Sequence, residues 1–131
     1  MFDTIQPGLA AQRSLVVEEE HTAARWGSGS LLVLSTPEMV ALMEGAAVDA
    51  VDPLLPPGYQ TVGGHVDIRH IAPTPLGSKV TSHATLIEVD GKRLTFLVEA
   101  QDEAGKVGEG THQRFIIEVA KFMQRAQARS E

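Results

Sequence analysis

Between Leu31 and Leu55 the chain reads LLVLSTPEMVALMEGAAVDAVDPLL, an apolar stretch with a strong start and a strong stop. Thr36-Pro37 predicts the start. A Thr at the N-cap accepts a bond from an otherwise unpartnered amide, and proline in the first turn gives up only an amide that has no helical acceptor. Met39 stands where a full capping box would need Glu or Gln. Asp52-Pro53 predicts the stop, because the residue before proline avoids the helical region. Roughly 16 residues of helix remain, about 24 Å long. A chain of 131 residues with one such helix has to be built around it.

That helix is polar on one side and has a single exception on the other. Glu38, Asp49 and Asp52 share a face, which predicts solvent or a rim. Glu44 lies about 120° away, with Val40, Ala41, Ala47 and Val48 one turn from it and Val51 two turns along. Gly45, Ala46, Ala47 and Ala50 keep the helix thin enough for another backbone or a ligand to approach. A carboxylate among valines resists ionising unless a partner holds its charge, which is one way a general base or nucleophile is tuned. A Glu whose head reaches water at the edge of an apolar stripe is the equally weighted alternative.

Composition narrows the function classes. The length suits one domain spanning 1–131. There is no cysteine, hence no disulfide framework, thiolate nucleophile or zinc–thiolate site. A net charge of −6 argues against non-specific nucleic-acid binding, which needs a basic face. No apolar run is long enough for a membrane span, and MFDTIQPGLAAQRS lacks the basic start and apolar block of a secretory signal. A soluble cytoplasmic protein is expected. His21, His83 and His112 have no metal-like spacing with any Asp or Glu, so no metal is expected.

Leu15, Val16 and Val17 predict a first strand within residues 12–24. After the helix, Pro53, Pro56, Pro57 and Gly58 turn the chain, and the hydrophobic period changes from helical to alternating up to about residue 121. Strands are expected at 59–72, 78–89, 92–102 and 106–120, with hairpins at Asp90-Gly91 and Glu103-Ala104-Gly105. Leu94, Phe96, Val98 and Ala100 are expected on an inner face, as are Phe115, Ile117 and Val119. The tail from Lys121 is expected to be a short helix. Hairpin-linked strands with one apolar face need a cover, and the helix is the one candidate large enough. The expected class is α+β: a long central helix wrapped by a curled antiparallel sheet of about five strands.

In the strand from residue 59, Val66, Ile68 and His70 share one parity, while His65, Asp67 and Arg69 share the other. His70 should point toward the helix; a hydrogen-bonded core histidine is the plainer reading of it. Gly63-Gly64 signals either a bulge or bare amides able to approach a substrate carbonyl.

The helix TPEMVALMEGAAVDAV, the strand GGHVDIRHIAPTPLG, the hairpin DGKRLTFLVEAQDEAG and the strand VGEGTHQRFIIEVAKF together resemble the hot-dog-fold thioesterases, most closely the fluoroacetyl-CoA thioesterase branch. The resemblance runs from about Thr36 to Phe122. It implies a helix wrapped by a sheet, a homodimer or higher oligomer with active sites at the subunit interface, and hydrolysis of an acyl-CoA without a cofactor. It implies Thr36, Glu44 and His70 as the catalytic set, Gly63 beside the thioester carbonyl with Gly64 next to it, and Arg114 near the site. Glu44 or Thr36 attacking the acyl carbon, and Glu44 with His70 activating water, remain open. Eight residues of helix hold Thr36 about 12 Å from Glu44, so a working site is expected to join the helix start of one subunit to Glu44 of the other. The branch's Phe-rich lid is replaced by the shorter WGSGSLLVLS, which puts fluoroacetate selectivity in question and favours a short or medium acyl group. Leu32, Leu34 and Met39 are candidates for an acyl pocket, though core packing is the commoner use of each. Arg69, Lys79, Lys92 and Arg93 are candidates for the CoA phosphates. A hydratase or dehydratase acting on an enoyl-CoA, and a non-catalytic module binding an acyl thioester, are the rival readings.

Overall fold

The computed structural model describes residues 2–130. Five strands form one antiparallel sheet: β1 (Ala10–Val16), β2 (Tyr59–His70), β3 (Lys79–Asp90), β4 (Arg93–Asp102) and β5 (Gly105–Glu118). Their spatial order is β1-β3-β4-β5-β2, so β3, β4 and β5 follow one another by hairpins while β1 and β2 form the two edges. A short helix α1 (Ala23–Trp26) precedes the long helix α2 (Thr36–Val51), and helix α3 (Val119–Ala128) closes the chain. The expected α+β hot-dog architecture is the one observed, and the ends of β2 to β5 fall within two residues of expectation; β1 ends at Val16, not near residue 24, because the chain turns into short helical segments at Glu19–His21 and Ala23–Trp26.

The sheet curls over α2. Met39, Leu42, Met43, Ala46, Ala47, Ala50 and Val51 bury one side of the helix against Val80, Ala84, Leu86, Leu94, Phe96, Val98 and Ala100 of β3 and β4. Removing the apolar area of side chains this size from water stabilises the fold by about 1.5–3 kcal/mol for each large one. Small residues let strand and helix approach. The Arg13 guanidinium from β1 lies over Gly45 and is held there by Asp49 at 2.8 and 3.0 Å.

Three expectations are corrected. The N-cap is Ser35, not Thr36: the Ser35 hydroxyl accepts from the Glu38 amide at 3.2 Å, and Thr36 is the first helical residue. Asp52 is not on a solvated rim, because the chain turns back after Pro53 and Thr61 donates to it from both amide (3.1 Å) and hydroxyl (2.6 Å). In β5 the inner face carries His112, Arg114 and Ile116, not Phe115 and Ile117. Register with β4, where buried Phe96 is opposite His112 and buried Leu94 opposite Arg114, forces that parity, and the apolar alternation was misleading because two inner positions are polar.

Candidate active site

Because Ser35 does the capping, the Thr36 hydroxyl is free for other work. It meets His70, the last residue of β2, with Oγ1 2.8 Å from Nδ1. His70 therefore turns toward the helix as expected, at its N-terminal end. Burial pushes the His70 imidazole below its ordinary value of 6.5, so the neutral ring, able to give or take one proton, is the form present near neutrality. Its Nε2 is buried without a hydrogen-bond partner among the described residues.

Beside this pair opens a cleft of about 400 Å³ walled by Ala23, Leu31, Val33, Thr36, His70 and Ile71. Leu34 also reaches its wall, while Leu32 points outward and is half exposed. Met39 is fully buried and packs where a side chain at Gly108 would otherwise sit, so it belongs to the core. The segment over the cleft is tied to α2 by the Trp26 indole, whose N–H donates to Glu38 at 3.0 Å. At the first turn of α2 Pro37 has no N–H and the Glu38 and Met39 amides are taken by Ser35, so the Thr36 amide and the helix dipole are what favour negative charge, and the cleft offers a carbonyl a hydroxyl, an imidazole and a positive helix end.

Glu44 lies two turns further along α2 and keeps different company. Its Oε2 is 3.7 Å from Arg114 Nη1 and 3.9 Å from His112 Nε2, with its side chain 39% exposed. Arg114 is buried and fixed: Nε donates to the Thr61 hydroxyl at 2.8 Å, Nη2 to the Thr61 carbonyl at 3.0 Å and Nη1 to His112 Nε2 at 3.2 Å. His112 Nδ1 donates to the His65 carbonyl at 2.7 Å. Burial pushes the His112 imidazole below its ordinary value, with Arg114 adding to the effect, so it too is neutral. The partner that holds the charge of Glu44 is thus Arg114, and the histidine next to Glu44 within one chain is His112, not His70.

Gly63 faces this group. A β-carbon there would lie 2.8 Å from Glu44 Oε2, 3.2 Å from His112 Cε1 and 3.3 Å from Arg114 Nη1. Gly64 is different: the strand bulges between Gly63 and His65, and Gly64 is covered by the Phe115 ring on the other face. The bulge reading of the glycine pair holds, and only Gly63 stands at the polar group. Of the cations considered for CoA phosphates, Arg93 is paired with Asp90 and Arg69 with Glu109. Sequence reasoning gave His112, Thr61 and Asp52 no part in the site: it read Asp52 as the helix stop and a solvated face, and His112 as a histidine without metal-like spacing. The signal for His112 was its place two residues before Arg114, which puts both on one face of a strand.

The chain's relatives agree with this architecture. A family described as fluoroacetyl-CoA-specific thioesterase matches residues 17–120. A fluoroacetyl-CoA thioesterase of Streptantibioticus cattleyicolor is 43% identical over 90 residues, 69% of this chain and 65% of that enzyme, so the match spans a little under two thirds of the curated relative. A variant of a fluoroacetyl-CoA enzyme solved with acetyl-CoA superposes with a TM-score of 0.90 at 32% identity, over 97% of this chain and 100% of that one. A Thermus thermophilus thioesterase-superfamily protein does so with a TM-score of 0.86 at 31% identity, over 95% of each chain.

Proposed function

This chain belongs to the fluoroacetyl-CoA-specific thioesterase family, and from that premise we propose that it hydrolyses a short or medium acyl-CoA thioester to the free acid and CoA. The observation that carries the reading is the Thr36–His70 hydrogen bond of 2.8 Å at the mouth of an apolar-walled cleft and the start of a helix. In this reading the thioester carbonyl sits at Thr36, at the positive start of α2, where negative charge developing on its oxygen is stabilised. A carboxylate, Glu44, acts on the acyl carbon, directly or through water. The C–S bond breaks, the CoA thiolate takes a proton relayed through His70, and water supplies the oxygen of the product acid.

One chain does not bring Glu44 to Thr36; α2 holds them about 12 Å apart. We propose that Glu44 is supplied across a homodimer interface. β2 is a 12-residue strand with one edge unpaired, and long open edges invite pairing with a second copy. Gly63, beside Glu44, and His70, beside Thr36, are about 23 Å apart along this strand at roughly 3.3 Å per residue. Antiparallel pairing of β2 with its twin, about a two-fold axis between Val66 and Asp67, would set Gly63 of one copy opposite His70 of the other. Such an interface is isologous, so both sites form at once. The partly exposed helix stripe of Val40, Ala41 and Val48 around Glu44 would be covered by the same contact.

The test is thiol release from a panel of acyl-CoAs by the purified protein, beside Thr36→Ala, Glu44→Ala and His70→Ala. Loss of hydrolysis in all three variants is expected. Binding without turnover by the parent protein would overturn the reading in favour of a non-catalytic module, and hydration of an enoyl-CoA without thiol release in favour of a hydratase.

A further inference from the structure

Arg114 is the one cation within reach of Glu44 among the described residues, and it stands on β5 with no freedom left. Each of its three nitrogens already has an acceptor, and the acceptors are themselves fixed. Thr61, on β2, takes Nε on its hydroxyl and Nη2 on its carbonyl. The Thr61 hydroxyl has a single proton, and it goes to Asp52 at 2.6 Å; that leaves its lone pairs, and only those, for Arg114. Asp52 is pinned in turn by the Thr61 amide. On the other side the His112 ring has a single possible tautomer. The His65 carbonyl can only accept, so Nδ1 carries the proton and Nε2 presents a bare lone pair to Arg114 Nη1. The ring is 1% exposed and stacked on Phe96 at 6.5 Å between centroids, so it cannot swing away. Of the five N–H bonds of Arg114 three are taken, and a free one on Nη1 lies on the edge that faces Glu44 at 3.7 Å.

We propose that Asp52, Thr61 and His112 are positioning residues for the reaction: together they hold Arg114 in one orientation, and Arg114 in turn holds the ionised Glu44 carboxylate where it meets the acyl carbon. This inference rests on the reading that Glu44 acts on the thioester. It differs from a purely structural role because the chain of bonds runs through three separate elements, the end of α2, β2 and β5, and converges on one functional carboxylate. A planar guanidinium with its donors committed is a rigid support, whereas Lys at this position would be a free-swinging point charge.

Glu44 is faced by Arg114 and His112 from β5 and by Gly63 of β2. Asp52 adds negative charge at the far side of Arg114, and the His65 side chain, which can bring only positive charge, acts on His112. Removing the lone pair at position 112, or the hydroxyl at 61, unlocks the only positive group in this set that is close to Glu44, so the Glu44 side chain should be held less well in place.

The experiment compares Thr61→Val, Thr61→Ser and His112→Phe with the parent dimer, using the acyl-CoA that the parent hydrolyses fastest. Phe keeps the stack on Phe96 and removes both ring hydrogen bonds, and Ser keeps the bridging hydroxyl. Thr61→Val and His112→Phe should lower kcat about tenfold or more with KM within about twofold, the size expected from a slight misplacement of a reacting group. Thr61→Ser should restore kcat toward the parent. Should one of Thr61→Val and His112→Phe fail to fold, the other carries the comparison; should both fail, Asp52→Asn, which keeps the side-chain shape and weakens the hold on Thr61, replaces them and should show the same fall in kcat. A kcat within about twofold of the parent in every folded variant other than Thr61→Ser, or a Thr61→Ser defect equal to that of Thr61→Val, would overturn the proposal. Glu44→Ala is run beside them: if that variant keeps its rate, the underlying assignment of Glu44 has failed and the positioning proposal falls with it.

Discussion

Thr36 Oγ1 and His70 Nδ1 lie 2.8 Å apart, joining the first residue of the long helix to the last residue of an edge strand. The pair exists because Ser35 takes over the capping and because β2 runs its full 12 residues. We expect Thr36→Ala and His70→Ala each to lower kcat/KM about 10²-fold or more, the usual scale for removing a positioned proton-transfer or donor group. Thr36→Ser should keep most activity. Thiol release under single-turnover conditions measures this, and an unimpaired His70→Ala would remove the pair from the chemistry.

Complementation tests whether two subunits share each site. In a dimer of one Thr36→Ala chain and one Glu44→Ala chain, one of the two sites would keep both groups. Co-refolding the two inactive variants in equal amounts should recover about one quarter of parent activity if pairing is random. If each chain carried a complete site of its own, mixing would restore nothing.

Gly63→Ala should be a catalytic lesion more than a structural one. Its β-carbon would sit 2.8 Å from Glu44 Oε2, and the half-exposed carboxylate can retreat into water. The expected result is a drop in kcat of about tenfold or more, with a thermal midpoint close to the parent's. A variant with parent kinetics would show that the carboxylate does not need that position.

Gly110 and Gly45 offer a contrast in stability. A β-carbon at Gly110 would lie 2.1 Å from the Asp67 carbonyl oxygen, backbone of the neighbouring strand that cannot step aside. At Gly45 the obstacle is the end of the Arg13 side chain, which can. Gly110→Ala should destabilise by about 3 kcal/mol. Gly45→Ala should cost far less, because a better helix former offsets the loss of the Arg13–Asp49 contact by about 1 kcal/mol. Urea unfolding of both variants gives the comparison.

Acid should weaken the fold through its buried histidines. His70 and His112 are both held below their ordinary value of 6.5 by burial. The unfolded chain therefore binds protons at a higher pH than the folded one, and stability falls as pH drops below about 6.5 and continues to fall until the folded rings protonate. Urea midpoints between pH 8 and pH 5 should decline over this window, and His112→Phe should flatten the slope. A midpoint independent of pH across that range would contradict the buried neutral state of both rings.

The sequence alone determined the helix and its length, since Thr-Pro and Asp-Pro signals act locally, and the four strands after it, since alternation and turn residues do so too. It determined that the sheet must curl over the helix, because no other element could cover its apolar face. Tertiary structure decided which histidine meets which acid. His112 and Arg114 interrupt the apolar alternation of β5, so local pattern put the wrong parity inward; only pairing with β4 fixed them on the inner face. Asp52 looked like a rim residue until the turn at Pro53 brought Thr61 back onto it. Contacts between residues distant in sequence depend on register and on the path of the chain between them, and neither is written in any short stretch of residues.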